Sequence, residues 1–297
     1  MTYRYLKKLE DYRKEIDGRL FNFFLLTIVI AVIIFSLLNF KFLGGETLVS
    51  ALISCTISFG IYEWYKDKVT ADFNMEFKNN VMHRIVSKIN PNLEYYPYDF
   101  INLAEFNYPQ IYKYPDIYNG NDLILGNIDG VDIKFSDVHL QEKVERVDSR
   151  GNRRVNYYNI FQGILFIADF HKNFTSKTYV ISSFGVKTWG ELAYMDNSEF
   201  ENEFEVYTDD QINARYILTP KLMEQILKIK KLFNCSINIA FLDNKIYIYI
   251  EFNRDSFEPD ISRTLLGRDS IILQYQNEVE ILISLVKELS LNTRIWR

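Results

Sequence analysis

Histidine and cysteine are scarce in this chain, three and two residues among 297. His83, His139 and His171 never stand at metal-ligand spacing from one another. No Cys-x-x-Cys or His-Glu-x-x-His occurs either, so the sequence writes no zinc motif. Cys55 lies in an apolar segment and Cys235 far from it; two dispersed thiols make no disulfide framework and fit a reducing compartment. Phosphate-loop and hydrolase signatures are missing as well. FGVKT, 184–188, lacks the Gly-x-x-x-x-Gly-Lys frame, and Gly-x-Ser-x-Gly is absent. The acidic, glycine-containing run 116–132 fails the calcium-loop pattern at its third position, Tyr118. Basic excess is missing too: the net charge is −5, which leaves no electrostatic footprint for nucleic acid. The 23 Phe and 21 Tyr then read as compositional bias rather than as base-stacking platforms. The expectation is a chain with no metal, no cofactor, no nucleic-acid partner and no written catalytic motif, which leans against an enzyme.

What the chain does have is a long uncharged run. Residues 20–38, LFNFFLLTIVIAVIIFSLL, would form a helix about 28 Å long, close to the ~30 Å hydrocarbon core of a bilayer. A signal peptide is the alternative, but the run exceeds ~15 apolar residues and no Ala-x-Ala site follows. After a short turn with Gly44 and Gly45, residues 47–65 offer a second, less hydrophobic span; a buried amphipathic helix is its alternative reading. Ser50, Ser54 and Ser58 recur every four residues, a spacing that lets helices approach closely in lipid. Tyr62, Trp64 and Tyr65 mark the far end as interfacial aromatics. Arg4, Lys7, Lys8, Arg13, Lys14 and Arg19 precede the first span, Lys66 and Lys68 follow the second, and the turn holds only Lys41. Positive-inside bias predicts both termini and the main body in the cytoplasm, hence an inner-membrane protein. The predicted organisation is a cytoplasmic amphipathic segment over 1–19, a transmembrane hairpin over 20–65, and a cytoplasmic domain over 66–297.

In that body, Phe73, Phe77, Val81, Ile85 and Ile89 predict an amphipathic helix over 67–89, ended by Pro91. Residues 91–119 show little periodicity and predict an irregular segment wrapped on the domain, with room for short strands. From 122 the period shifts to two, and the charged stretch 142–154 reads as an exposed hairpin tip. The nearly continuous apolar run 160–170 predicts a central strand covered on both faces. TYVIS (178–182), the end of 199–207, and two strands joined at Asp243-Asn244-Lys245 follow. A final helix, 269–290, packs on the sheet or forms a dimer seam. The fold class is α+β: a two-helix transmembrane hairpin, then a mainly antiparallel sheet packed by helices.

Two clusters are candidate sites. Asp169, His171 and Lys172 follow the central strand, where Asp and His suit acid–base chemistry. Asp209, Asp210 and Arg215 lie in FEVYTDDQINARYILTPKLMEQI, 204–226. That second stretch also reads as pure structure. Thr208-Asp209-Asp210-Gln211 fits a capping box, Asp209 and Asp210 favour a helix start, and Thr219-Pro220 opens another helix.

IFQGILFIADFHKNF, DDQINARYILTPKLMEQI and INIAFLDNKIYIYIEFNRDSFEP resemble a bacterial membrane family catalogued as domain of unknown function 3137. The resemblance covers roughly 120–290 in motif and the remainder in layout. It implies a membrane hairpin with a cytoplasmic body and points to a LemA-type membrane protein as partner; it brings no activity and no catalytic residues. Three functional expectations stand together. The first is a non-catalytic membrane-anchored binding or scaffold module. The others are a membrane-tethered ligand sensor and an enzyme near Asp169/His171 or Asp209/Arg215. A homodimer is compatible with each.

Overall fold

A computed structural model describes residues 3–42, 47–147, 151, 153–170, 176–182, 190–289 and 291. The chain forms two compact units, one from Met1–Arg84 with Glu258–Tyr275, the other from Ile85–Phe257 with Gln276–Arg297.

The first unit is built on two helices. α1 (Tyr3–Leu37) ends in a π-helical turn, Leu38–Phe42, and α2 (Thr47–Glu76) passes through a π-helical segment, Phe77–Met82, into α3 (His83–Ile89). No proline interrupts either run, and Pro91 stands just beyond the last. The polar leader, the apolar run and the following amphipathic stretch therefore form unbroken helices. At about 1.5 Å per residue α1 spans ~50 Å, well beyond the hydrocarbon core. Both helices are long and apolar enough to cross a membrane. Phe21, Leu25, Leu26, Val29, Val32 and Ile33 remain about half exposed, as a lipid-facing surface requires. Ser50, Ser54, Ser58 and Thr27 are buried instead, so the serine spacing marks the close helix–helix face. Aromatic pairs bind the polar ends: Phe23 stacks on Tyr65 with centroids 3.8 Å apart, and Tyr12 meets Phe73 at 6.3 Å.

Residues 258–275 return to this unit and grip the polar half of α1. Arg13 pairs with Glu10 through two hydrogen bonds of 2.9 Å, both residues buried, and donates a third to the Ile261 carbonyl. The Leu265 amide donates to Glu10 Oε2 at 2.9 Å, and Thr264 Oγ1 to Glu10 Oε1 at 3.3 Å. Lys78 pairs with Glu258, and the Tyr275 hydroxyl donates to the Glu258 carbonyl.

The second unit contains a nine-stranded sheet. Its strands are β1 (Leu93–Tyr96), β2 (Ile117–Ile128), β3 (Val131–Val147), β4 (Arg153–Asp169), β5 (Thr178–Ile181), β6 (Glu191–Ala193), β7 (Glu205–Thr208), β8 (Ser236–Leu242) and β9 (Lys245–Glu251). The order is β1-β2-β3-β4-β9-β8-β5-β7-β6, and every neighbouring pair is antiparallel. β4 lies inside the sheet, and its run Gly163–Ala168 is buried on both faces, as its continuous apolar sequence predicts. One face carries Val138, Leu140, Phe161, Leu165, Tyr247 and Tyr249, and the segment around Ile101, Phe106, Ile111 and Tyr112 covers it. So the aperiodic aromatic stretch is a core-forming strap, pinned by short helix α4 (Leu103–Phe106). Tyr249 donates to the Phe106 carbonyl at 2.7 Å and Tyr118 to the Ile101 carbonyl at 2.6 Å. These bonds satisfy hydroxyls that an apolar layer would otherwise leave costly. The opposite face buries Ile237, Ile239, Phe241, Ile246, Ile248 and Ile250.

Asp243 and Asn244 both take positive φ, 47° and 60°, the geometry of a two-residue turn that matches strand twist. Beyond the core, β3 and β4 continue as an exposed ribbon to Val147 and Arg153, which extends the predicted hairpin tip. The remaining helices among the described residues are α5 (Ser198–Glu203), α6 (Gln211–Ile217), α7 (Pro220–Phe233) and α8 (Ile271–Glu288). The 199–207 stretch is thus a capped helix turning into a short strand, because Asn197 accepts the Phe200 amide at 3.0 Å and starts α5.

Candidate functional site

Gly163 decides how the chain leaves β9. Its φ is 153°, and a Cβ there would lie 2.1 Å from the Ile250 carbonyl oxygen. With no side chain at that point the exit strand crosses β4 closely, and the Asn253 amide donates to the Gln162 carbonyl at 3.0 Å. Asn253 and Phe257 take positive φ, 54° and 63°, so residues 253–257 fold back tightly over β3. There the Ser256 amide donates to Asp137 Oδ2 at 2.6 Å.

Asp137 stands opposite Asn121 in the β2–β3 ladder, just before the register shifts between Asn121 and Ile124. The shift admits Asp122 at φ 57°, a left-handed conformation that aspartate tolerates. Asp122 is fully buried; its amide donates to the Pro97 carbonyl at 3.2 Å, and Tyr95 donates its hydroxyl proton to the Asp122 carboxylate. Asp255 is exposed, holds the Asn121 side-chain amide at 3.3 Å, and brings a carboxylate oxygen within 4.8 Å of one on Asp122. Three carboxylates from β2, β3 and the β9 exit thus gather at one place. Burial pushes the Asp137 carboxyl up to about 8; the charges of Asp255 and Asp122 add to that effect and the Ser256 amide opposes it. At neutral pH Asp137 is therefore largely a neutral acid that can donate as well as accept. A proton or a cation arriving here changes the balance of a closely coupled group.

The residues singled out from sequence lie elsewhere. Asp169 faces Lys245 across the β4–β9 ladder, 3.7 Å away, both about half exposed, on the wall of a cleft of about 420 Å³ shared with Lys134 and Asp132. His171 and Lys172 lie outside the described residues, as does 184–188. Asp209 accepts the Lys177 amide at 2.9 Å and so ties β7 to the start of β5. Asp210, not Thr208, is the N-cap of α6: it accepts the amides of Ile212 and Asn213 at 2.9 and 3.1 Å. The predicted capping box does not form, because pairing of β5 with β7 extends to Thr178 and Thr208 and the Thr208 hydroxyl bonds the Lys177 carbonyl at 2.9 Å. Gln211 donates instead to the Leu192 carbonyl at 3.1 Å, and Arg215 to those of Gln211 and Tyr194 at 3.1 and 3.0 Å. Both side chains cover carbonyls at edge strand β6, a way of blunting an open sheet edge. Thr219 does cap α7, accepting the Leu222 amide at 3.3 Å with Pro220 at the first helical position.

Sequence reasoning missed Asp122, Asp137 and Asp255. The one available signal was Asp137 itself, an acid inside the buried strand phrase KFSDVHL. Most of the rejected calcium-loop run is strand β2, and its end is the Asp129-Gly130 turn into β3. Cys235 is half-buried, and burial pushes its thiol up to about 11, which keeps it from acting as a thiolate nucleophile.

No curated protein matches the chain. A solved structure, the crystal structure of the mycobacterial trehalose monomycolate transport factor A, TtfA, aligns at a TM-score of 0.40 and 10% identity, covering 73% of this chain and 99% of that one. A likeness at that level transfers nothing about function. The family described as "Protein of unknown function (DUF3137)" matches residues 159–291, from the inner half of β4 to the end of α8.

Proposed function

We propose that the protein is a membrane-tethered sensor whose sheet body lies on the cytoplasmic side and whose input is the charge at Asp137, Asp122 and Asp255. The observation that carries this reading is the path of one short segment. Asp137 holds the Ser256 amide at 2.6 Å, and nine residues further along the chain Glu10 of α1 holds the Leu265 amide at 2.9 Å. Ser256 belongs to the sheet unit and Leu265 to the helical one. Whatever alters the grip of Asp137 on Ser256 acts on a connection anchored directly to a membrane helix. A change in proton or cation occupancy at the carboxylates supplies the differential interaction that a two-state response needs. Binding rather than catalysis is favoured because Asp209, Asp210 and Arg215 are occupied in a turn, a cap and an edge clasp.

Melting the full-length protein at neutral pH with and without millimolar magnesium, calcium or manganese tests the input. The expected result is a rise in Tm with at least one of them, absent in Asp137→Asn/Asp255→Asn. No shift for any cation, together with a Tm equally insensitive to pH in both proteins, rejects the reading. Orientation is tested separately in a background carrying Cys55→Ser and Cys235→Ser. An impermeant thiol reagent outside intact cells should label Gly45→Cys and spare Asp132→Cys. The same preparation, crosslinked in membranes, distinguishes a LemA-type partner from a second copy of this chain.

A further inference from the structure

Beside the helical hairpin, in the first unit, lies a cleft of about 580 Å³, within the range of small-molecule sites. It straddles the boundary between apolar run and polar extension on both helices. Phe21, Phe24 and Tyr62 come from the ends of the apolar runs; Asp17, Lys66 and Asp67 come from the polar extensions just beyond. The returning segment contributes Asp260. Phe21 and Phe24 are about half exposed, so the apolar wall continues into the lipid-facing surface of α1.

The polar side is acidic. Lys66 is held by Glu63 at 3.1 Å, and Arg13, whose charge Asp17 and Asp260 feel, is taken up by Glu10. Asp17 and Asp67 are exposed and make no hydrogen bond or ion pair within 4 Å among the described residues. Asn74 also lines the cleft, and its amide oxygen is buried without a hydrogen-bond partner. The arrangement is one half apolar and open to acyl chains, the other half rich in carboxylates with a single lysine.

We infer that this cleft binds the headgroup of an amine-bearing zwitterionic phospholipid from the bilayer. The ammonium sits among Asp17, Asp67 and Asp260 beside the face of Tyr62, a ring that attracts cations. Lys66 meets the phosphate, and the acyl chains lie along Phe21 and Phe24. An anionic headgroup would bring like charge against Asp17, Asp67 and Asp260, with Glu258, the partner of Lys78, on the same wall; a soluble cation would leave the apolar wall unused. The inference does not depend on the sensor reading, which stands or falls on Asp137.

The test is binding of phosphatidylethanolamine and phosphatidylglycerol, each titrated into mixed micelles holding the full-length protein. The amine lipid should bind at least about fivefold more tightly. In Asp17→Asn/Asp67→Asn the two lipids should bind within about twofold of each other. Both substituted side chains are exposed, and an unchanged melting curve verifies that the variant is folded. Equal binding of the two lipids to the unaltered protein, or a preference that survives in the folded variant, overturns the inference.

Discussion

Glu10 and Leu265, 255 residues apart in the chain, are joined by a hydrogen bond of 2.9 Å from the Leu265 amide to the Glu10 carboxylate. The same carboxylate holds Arg13, which in turn donates to the Ile261 carbonyl. An amphipathic membrane leader is thereby converted into the docking rail of a segment from the far end of the sequence. Burial alone would raise the Glu10 carboxyl, but hydrogen bonds from Arg13 and Leu265 more than offset it and hold the group below its ordinary value.

Removing one member of this pair leaves the other buried without compensation. Glu10→Ala should cost about 3 kcal/mol of local stability. Amide exchange at Ile261–Leu265 should accelerate in that variant while strands β4 and β9 keep their protection. Because the folded carboxyl is depressed, its contribution is present above the ordinary carboxylate value and is lost as pH falls through the lower folded one. Unaltered exchange in Glu10→Ala would mean the clamp is only a contact.

Asp137 carries the opposite sign. Its ordinary value is 3.8 and its folded value about 8, so the folded state binds the extra proton. The stabilisation is complete below 3.8 and is lost as pH rises through about 8, at on the order of 1 kcal/mol per pH unit inside that window. Asp137→Asn keeps the acceptor for the Ser256 amide and removes the titration. Its Tm should change far less between pH 6 and pH 9 than that of the unaltered protein; parallel Tm profiles would contradict the burial of an acid at this position.

Gly163→Ala should destabilise the sheet unit by about 2–4 kcal/mol, because the added carbon meets backbone rather than a yielding side chain. Denaturant titration reads the loss. A change under 0.5 kcal/mol would show that the β9 exit does not cross β4 as described.

Arg215→Ala should lower stability by only about 0.5–1 kcal/mol, since the guanidinium is exposed and bonds carbonyls rather than a charge. The larger effect should be self-association through the uncovered β6 edge, read as a rise in mass by light scattering. A large loss of ligand binding, with mass unchanged, would return Arg215 to a functional site.

The hairpin was legible because nineteen uncharged residues have few alternatives, and the serine spacing correctly marked its inner face. The β8–β9 turn and the Thr219 cap were legible because each rests on two or three adjacent residues. Thr208 misled because two caps stood in tandem, and only the pairing of Thr178 with Thr208 shows which is consumed by the ladder. Asp137 alone left a trace, an acid inside a buried strand phrase, but its grouping with the other two carboxylates was not legible for a related reason. Asp122, Asp137 and Asp255 are brought together by a register shift, a strand pairing and a glycine crossing, none of which has a local signature. The strap at 97–116 was legible as an irregular segment wrapped on the domain, but not as a core layer, because its aromatics are buried without helical or strand periodicity.

The central claim is that charge at Asp137 reaches α1 through residues 256–265. Hydrogen–deuterium exchange of the full-length protein in lipid nanodiscs at pH 6.5 and pH 9, corrected for intrinsic rates, tests it most directly. Exchange at 256–265 and at the polar half of α1 should rise together at the higher pH. The rise should vanish in Asp137→Asn. Protection in those segments that is the same at both pH values, or a rise that persists in Asp137→Asn, contradicts the account.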